Sequence, residues 1–296
     1  MWFREAVTRS DKKYSPSELP SGKIQLIQGI VCFLLCSLIA GLGSLTFFEL
    51  KKDEMRNFKS QLISVSLSVT ENATGGLKRK ILAASLISKI YATAMQDGYG
   101  GTSPNFTLPG FESEMTVMME LSGSKTIIFY PLITNETRQG WEEYAEANID
   151  ILALNGGRTA GDGIYTQSPT GIISSPSHAT GSNHPTWLFP VWQVAPARLT
   201  SSITMYDPYG VIGSRRNCID RVIQTSTFAF TDIVQLLTDE GVITPSTILY
   251  SPIMGPGAKN PIVGLASIAF SWGEVLNGIL PGNHEVDCVV TTKTSK

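Results

Sequence analysis

Apolar residues along this chain fall into three regimes. The first is an unbroken run, residues 24–48 (IQLIQGIVCFLLCSLIAGLGSLTFF), that carries no charged side chain. At a helical rise of about 1.5 Å per residue, it exceeds the roughly 30 Å hydrocarbon core of a bilayer. Its only strongly polar side chains, Gln25 and Gln28, lie at the starting edge. A cleaved signal peptide is the rival reading, but its apolar region runs only about 7–15 residues. A soluble helix would show a polar face, which this run lacks. A retained transmembrane anchor is therefore expected.

In the second regime apolar residues recur every three or four positions. Met55, Phe58, Leu62, Val65 and Val69 share one helix face, with Lys52, Glu54, Arg56 and Lys59 elsewhere. This stripe is expected to end at residues 72–76, because paired glycines disfavour a helix. A second helical pattern over residues 77–95, with Leu82, Leu86 and Ile90 one turn apart, stops at 97–101 (DGYGG).

The third regime alternates short β-branched and aromatic runs with further helices. Residues 126–133 (TIIFYPLI) read as a strand, and strands are also expected at 187–194, 203–206, 247–252, 262–271 and 286–291. Helical stripes cover 136–154 and one or two helices 214–238, while 156–185 is a Gly, Ser, Thr and Pro excursion. Strands outnumber helices and alternate with them irregularly. That pattern favours an antiparallel α+β domain over a doubly wound parallel sheet.

The resulting organisation is a cytoplasmic head (1–23), an anchor (24–48), a helical stalk (49–98) and a mixed domain (99–296). With 42% hydrophobic and 16% charged residues the chain is not a disordered tail. A formal charge of −2 supplies no basic excess for nucleic acid. Basic residues flank the anchor on both sides, so charge does not fix its orientation. Three N-x-[ST] sequons, at Asn72, Asn105 and Asn135, all follow it and favour an extracellular or luminal body at the plasma membrane or an endomembrane.

Cys32 and Cys36 lie inside the apolar run, where they read as small buried hydrophobes. Cys218 and Cys288 form an even pair in the body, a candidate disulfide in an oxidising compartment. No metal site and no cofactor are expected. His178 and His184 lie in the flexible excursion, and the glycine-rich stretches 155–163 and 255–260 read as a loop and a hairpin turn. No nucleophile elbow, zincin motif, Walker loop or kinase signature occurs, and the acidic pairs are surface neighbours on helices. An enzyme is not expected.

A small-molecule pocket is the remaining candidate chemistry. Phe129 and Tyr130 on one strand, Trp187, Trp192 and Gln193 on another, and Tyr206 with Asp207 combine apolar walls with a few polar contacts. The competing reading of each aromatic is ordinary core packing.

Several short words carry a resemblance. Residues 108–112 (LPGFE), 120–123 (ELSG), 129–134 (FYPLIT), 141–144 (WEEY) with Ala147 and Asn148, and 190–196 (PVWQVAP) occur in order. Ser251, Pro252 and Ile253, then 262–264 (IVG), Trp272, Leu280 and Pro281 close the series. Together they resemble the ectodomain of receptor-type nucleotide cyclases of diatoms and related protists, over roughly residues 25–290. Such ectodomains are similar to the CHASE class of sensors. The resemblance implies an anchor, a long stalk helix and a PAS-like antiparallel sheet domain that senses a ligand and signals to an intracellular cyclase. After residues 286–291 this chain shows no second apolar span and no catalytic domain, so the expectation is a sensor portion alone.

The expected function is thus a membrane-anchored ligand sensor working as a homo- or heterodimer through the stalk, with Phe58, Leu62 and Val65 facing the partner. A luminal hydrolase or glycosyl-transfer enzyme with a type II anchor is the main alternative. A ligand-free adhesive surface protein is the other. A well-formed apolar pocket separates the sensor from both.

Overall fold

The computed structural model describes residues 21–148, 162–168, 171–174, 187–197, 203–237, 243–256 and 261–276. It divides into two units, Met1–Ser64 and Val65–Lys296. In the first unit the described residues are entirely helical, and their large apolar side chains, among them Phe33, Leu38 and Phe48, are exposed. Exposed apolar side chains on every side of a helix require an apolar surround. The helix that contains them, α1 (Ser21–Gln96), is the one helix among the described residues long and apolar enough to cross a membrane.

The expected interruption at 72–76 does not occur, because α1 runs through Gly75 and Gly76 without a break. A glycine in a helix interior costs only about 1 kcal/mol, and α1 offsets that by burying a face in the second unit. That face comprises Ala83, Ala84, Ile87, Tyr91 and Met95. Of the stripe singled out by spacing, Leu82 (60%) and Leu86 (40%) are exposed, while Ile90 is partly buried and packs against this core. Small alanines, not the leucines, mark the side where the sheet approaches closely.

After α1 come a two-residue hairpin, β1 (Gly101–Thr102) with β2 (Asn105–Phe106), and helix α2 (Phe111–Ser122). Glu112 and Glu114 occupy the first turn of α2, where negative charge suits the helix dipole. Gly123 ends the helix at φ 61°, a conformation that favours glycine. The Lys80 Nζ of α1 donates to the carbonyls of Ser122 (2.8 Å) and Gly123 (3.2 Å), satisfying groups left over at that end. Strand β3 (Thr126–Pro131) follows, then α3 (Asn135–Ala147), opened by a capping box between Thr134 and Thr137.

Next are the hairpin β4 (Tyr165–Ser168) with β5 (Gly171–Ser174), then β6 (Gln193–Ala195), a 3-10 turn (Pro208–Gly210) and α4 (Ser214–Thr225). The chain continues through β7 (Ala229–Phe230), β8 (Val234–Leu237), β9 (Ile243–Met254), β10 (Ile262–Ser271) and the short α5 (Trp272–Leu276). The expected helix over 214–238 therefore stops at Thr225, and two strands follow. The strand expected at 187–194 shrinks to β6, preceded by a single bridge between Leu188 and Ile133. At 203–206 there is a turn in which only Tyr206 makes a bridge, to Tyr165. The strand proposed at 286–291 lies outside the described residues.

The main sheet is antiparallel throughout, in the order β6-β3-β10-β9-β7, with β8 also paired to β9. Counting its path strands along the chain gives 2-1-5-4-3, a PAS-like α+β arrangement. Both faces are covered, so neighbouring residues of one strand enter different cores. Ile127, Phe129, Leu249, Ala266 and Ile268 pack toward α1, with the Phe129 ring stacked on Tyr91 at 4.2 Å. Tyr130, Ile248, Tyr250 and Leu265 pack on the opposite face with Cys218, Ile219 and Val222 of α4. Gly264 permits the β3–β10 pairing, because a Cβ there would lie 2.6 Å from the Tyr130 carbonyl oxygen.

Candidate functional site: a tyrosine-lined cavity on the second sheet face

On the α4 side of the sheet lies a cavity of about 510 Å³. The sheet supplies Ile128 and Tyr130 from β3, Ile248 and Tyr250 from β9, and Ser267 and Ala269 from β10. Strict alternation explains the set, since register pairs Ser267 with both Ile128 and Tyr250, placing them on one face. Further walls include Tyr165 of β4, Val191, Ile203 and Tyr206 from the connecting segments, Leu236 of β8 and Arg215 of α4. This volume lies within the range that accommodates small organic ligands.

Tyr206 is held by main-chain bonds on two sides. Val191 N–H donates to its carbonyl at 2.8 Å, and the neighbouring Asp207 N–H donates to the Tyr165 carbonyl at 2.7 Å. The preceding residue, Met205, is held at φ 66°, an uncommon conformation for a bulky side chain. Its N–H donates to Val191 and its carbonyl accepts from Tyr165. The Tyr165 and Tyr206 rings pack 5.7 Å apart.

Two polar clusters result. In the first, the Tyr130 hydroxyl and Ser267 Oγ are 3.0 Å apart, and the Tyr130 and Tyr250 rings lie 5.8 Å apart. In the second, an Arg215 guanidinium nitrogen donates to the Tyr206 hydroxyl at 3.3 Å. Burial pushes the Tyr130 phenol up to about 12 and that of Tyr250 well above its ordinary value; Tyr206 is raised by the same cause. All three phenols are neutral donors at physiological pH. Burial works against the charge of Arg215; the Coulombic pull that raises its pKa comes from Tyr250, Tyr206 and Tyr130, which carry charge only at high pH, so near neutrality the cation persists with no counter-charge from these phenols.

The position of Arg215 in its helix is locally unfavourable. It and Arg216 occupy the first turn of α4, which has no acidic residue there and no side-chain cap at Gly213. Cations at a helix N-terminus oppose the dipole by about 0.3–1 kcal/mol each. Arg216 stacks on the Tyr209 ring at 5.2 Å, while Tyr209 donates to Asp220 at 2.8 Å. Arg215 makes no ion pair among the described residues.

Of the residues predicted from sequence, Tyr130 and Tyr206 line the cavity. Phe129 lies on the opposite face against Tyr91, as alternation requires. Gln193 and Trp192 also lie away from the cavity. Gln193 Oε1 accepts from the Tyr91 hydroxyl (3.0 Å) and the Leu108 N–H (2.9 Å), while its amide donates to the Leu108 carbonyl (3.0 Å). Trp192 donates to Thr107 Oγ1 at 2.9 Å and meets Trp141 edge-on. Asp207 is fully buried beside the site, where its Oδ1 accepts from the N–H groups of Phe189 and Tyr209. Trp187 is half-buried and packs at the margin of the second core.

Sequence reasoning did not select Arg215, Tyr250, Tyr165 or Ser267. The available signal was the alternation of 247–252 and 262–271, together with a basic pair at a helix start where acids are favoured. Among the other candidates, Cys218 is buried in the second core, and burial pushes its thiol pKa up to about 12. Cys288, His178 and His184 lie outside the described residues. Asn72 and Asn135 are exposed, whereas Asn105 is half-buried with its Oδ1 enclosed and lacking a hydrogen-bond partner.

No family model matches the chain, and no curated protein matches it. Among solved structures it is similar to the periplasmic sensory domain of the Campylobacter jejuni chemoreceptor Tlp1, at 12% identity and a TM-score of 0.39. That match covers 76% of this chain and 65% of the other. A methyl-accepting chemotaxis protein X is similar at 13% identity and a TM-score of 0.31, over 78% and 64% of the two chains. The chain thus spans a little under two thirds of each of these proteins. The fold assignment rests on the sheet topology itself.

Proposed function

We propose that this chain is a membrane-anchored ligand-sensing protein whose body faces the extracellular or luminal side, of the CHASE-like type that serves receptor nucleotide cyclases. The observation that carries the reading is the cavity, a concave site of ligand size with buried phenols, apolar walls and one cation. A small molecule bound there reaches Ile127, Phe129, Leu249, Ala266 and Ile268 on the other face only through the sheet itself. Moving Tyr130 moves Phe129, and Phe129 is stacked on Tyr91 of α1. Helix α1 contains the apolar span, so the relay from site to membrane is one strand and one helix. The output passes to a partner through a stalk dimer, in which Phe58, Leu62 and Val65 face the second subunit; Phe58 and Leu62 are exposed and Val65 is half-buried.

Ala269→Trp tests the site by filling the cavity from the sheet side. In the full chain in detergent or nanodiscs, small molecules that raise the melting temperature of the wild type are expected to lose that effect in the variant. Undiminished binding to a folded Ala269→Trp protein overturns the reading. Phe58→Glu with Leu62→Glu is expected to convert a dimer to a monomer in light scattering.

A further inference from the structure

We infer that the cavity takes a small amphiphilic monocarboxylate, with Arg215 and Tyr206 holding its carboxylate. This rests on the sensor reading above and adds the chemical class of the ligand. Arg215 has five N–H donors, and among the described residues one nitrogen is used, on the Tyr206 hydroxyl at 3.3 Å. That hydroxyl accepts from Arg215, and its own hydrogen reaches no acceptor among the described residues. Two donor groups therefore meet at one side of the cavity with no anion between them.

The rest of the lining does not supply one. Its other side chains are neutral: the phenols of Tyr130, Tyr165 and Tyr250, the hydroxyls of Thr126 and Ser267, and the amides of Gln167 and Gln235, besides apolar groups. Asp207 and Asp220 are near but engaged, Asp207 with the N–H groups of Phe189 and Tyr209, Asp220 with the Tyr209 hydroxyl. A cation left partly buried without a counter-charge is costly, and a ligand that brings the charge removes that cost. One fixed positive charge among neutral phenols matches a monoanion better than a dianion. Guanidinium geometry suits the two oxygens of a carboxylate.

The apolar body of the ligand follows from the apolar part of the lining. Ile128, Val191, Ile203, Leu236, Ile248 and Ala269 offer no hydrogen bonds, so an extended polar solute would lose its water there without replacement. A carboxylate attached to a ring or short hydrocarbon satisfies both the charged and the apolar parts of the lining.

Benzoate, benzamide, benzylammonium and inorganic phosphate separate the possibilities, applied to the full-length protein in nanodiscs by calorimetry and thermal shift. Benzoate is expected to bind and to stabilise, with the other three at least about tenfold weaker. Arg215→Met is expected to lower benzoate affinity at least about tenfold, and Tyr206→Phe several-fold. In the absence of any probe, Arg215→Met is expected to melt no lower than the wild type, because it removes an uncompensated cation. A ligand-free drop of several degrees would make Arg215 a structural residue and overturn the inference. Benzamide or benzylammonium binding as well as benzoate, with Arg215 dispensable, overturns the carboxylate assignment while leaving the sensor reading intact. If no probe binds at millimolar concentration, the carboxylate assignment also falls; Ala269→Trp then decides the sensor reading separately.

Discussion

Gln193 offers the sharpest separation between scaffold and site. Its side chain is 4% exposed and makes three hydrogen bonds, to the Tyr91 hydroxyl, the Leu108 N–H and the Leu108 carbonyl. It thereby joins α1, the segment before α2, and β6 in one buried junction. Gln193→Ala removes all three bonds and strands three buried groups, each costing about 1–3 kcal/mol, and leaves a void. Partial relaxation brings the expected loss to about 4 kcal/mol. For a body of this size that corresponds to a fall of roughly 8–16 °C in melting temperature. Tyr91→Phe should cost only about 1 kcal/mol, because Gln193 keeps both bonds to Leu108. Denaturant unfolding of the full chain in micelles, followed by tryptophan fluorescence, measures both. A loss below about 1 kcal/mol in Gln193→Ala would refute the junction, as would weakened probe binding at unchanged stability, which would make Gln193 a ligand contact.

Alkaline unfolding tests the cavity phenols. Burial raises Tyr130 to about 12 in the folded state, against roughly 10 when unfolded, so its contribution is complete below pH 10 and is lost as pH rises toward 12. Tyr130→Phe should therefore flatten stability against pH over that window by about 1.4 kcal/mol per pH unit, at the expense of about 1 kcal/mol near neutrality from the bond to Ser267. An unchanged slope would show the phenol to be solvated. Glycine substitutions test the sheet and helix separately: Gly264→Ala should cost more than about 2 kcal/mol, because its Cβ meets the Tyr130 carbonyl at 2.6 Å. Gly140→Ala in α3, with open space around it, should stabilise by about 0.5–1 kcal/mol in the same unfolding assay, and destabilisation there would contradict the helix environment.

The apolar run, the strand at 126–133 and the strand at 262–271 were legible because each has a period or length that only one element satisfies. Elsewhere local propensity lost to packing. Gly75 and Gly76 read as a break, yet α1 continues because the next four turns bury Ala83, Ala84, Ile87 and Tyr91. Residues 229–237 read as helix, but pairing with β9 makes strands of them, a long-range effect that no local window contains. Aromatic clustering found Tyr130 and Tyr206 but drew in Phe129, Trp192 and Gln193. Proximity in sequence carries no information about side, and adjacent positions on a strand face opposite ways. Arg215 stayed hidden because its significance depends on what is missing around it in space.

The two-sided sheet gives β3, β9 and β10 two independent schedules of change. Positions 127, 129, 249, 266 and 268 fill a fixed interior against α1, where altered volume is costly, whereas 128, 130, 248, 250, 267 and 269 answer to whatever the cavity holds. Related chains tuned to different molecules should therefore diverge with a period of two along these strands, conserved and variable residues alternating one by one. A sequence comparison among such chains would read out the ligand face as a comb, without any ligand being known.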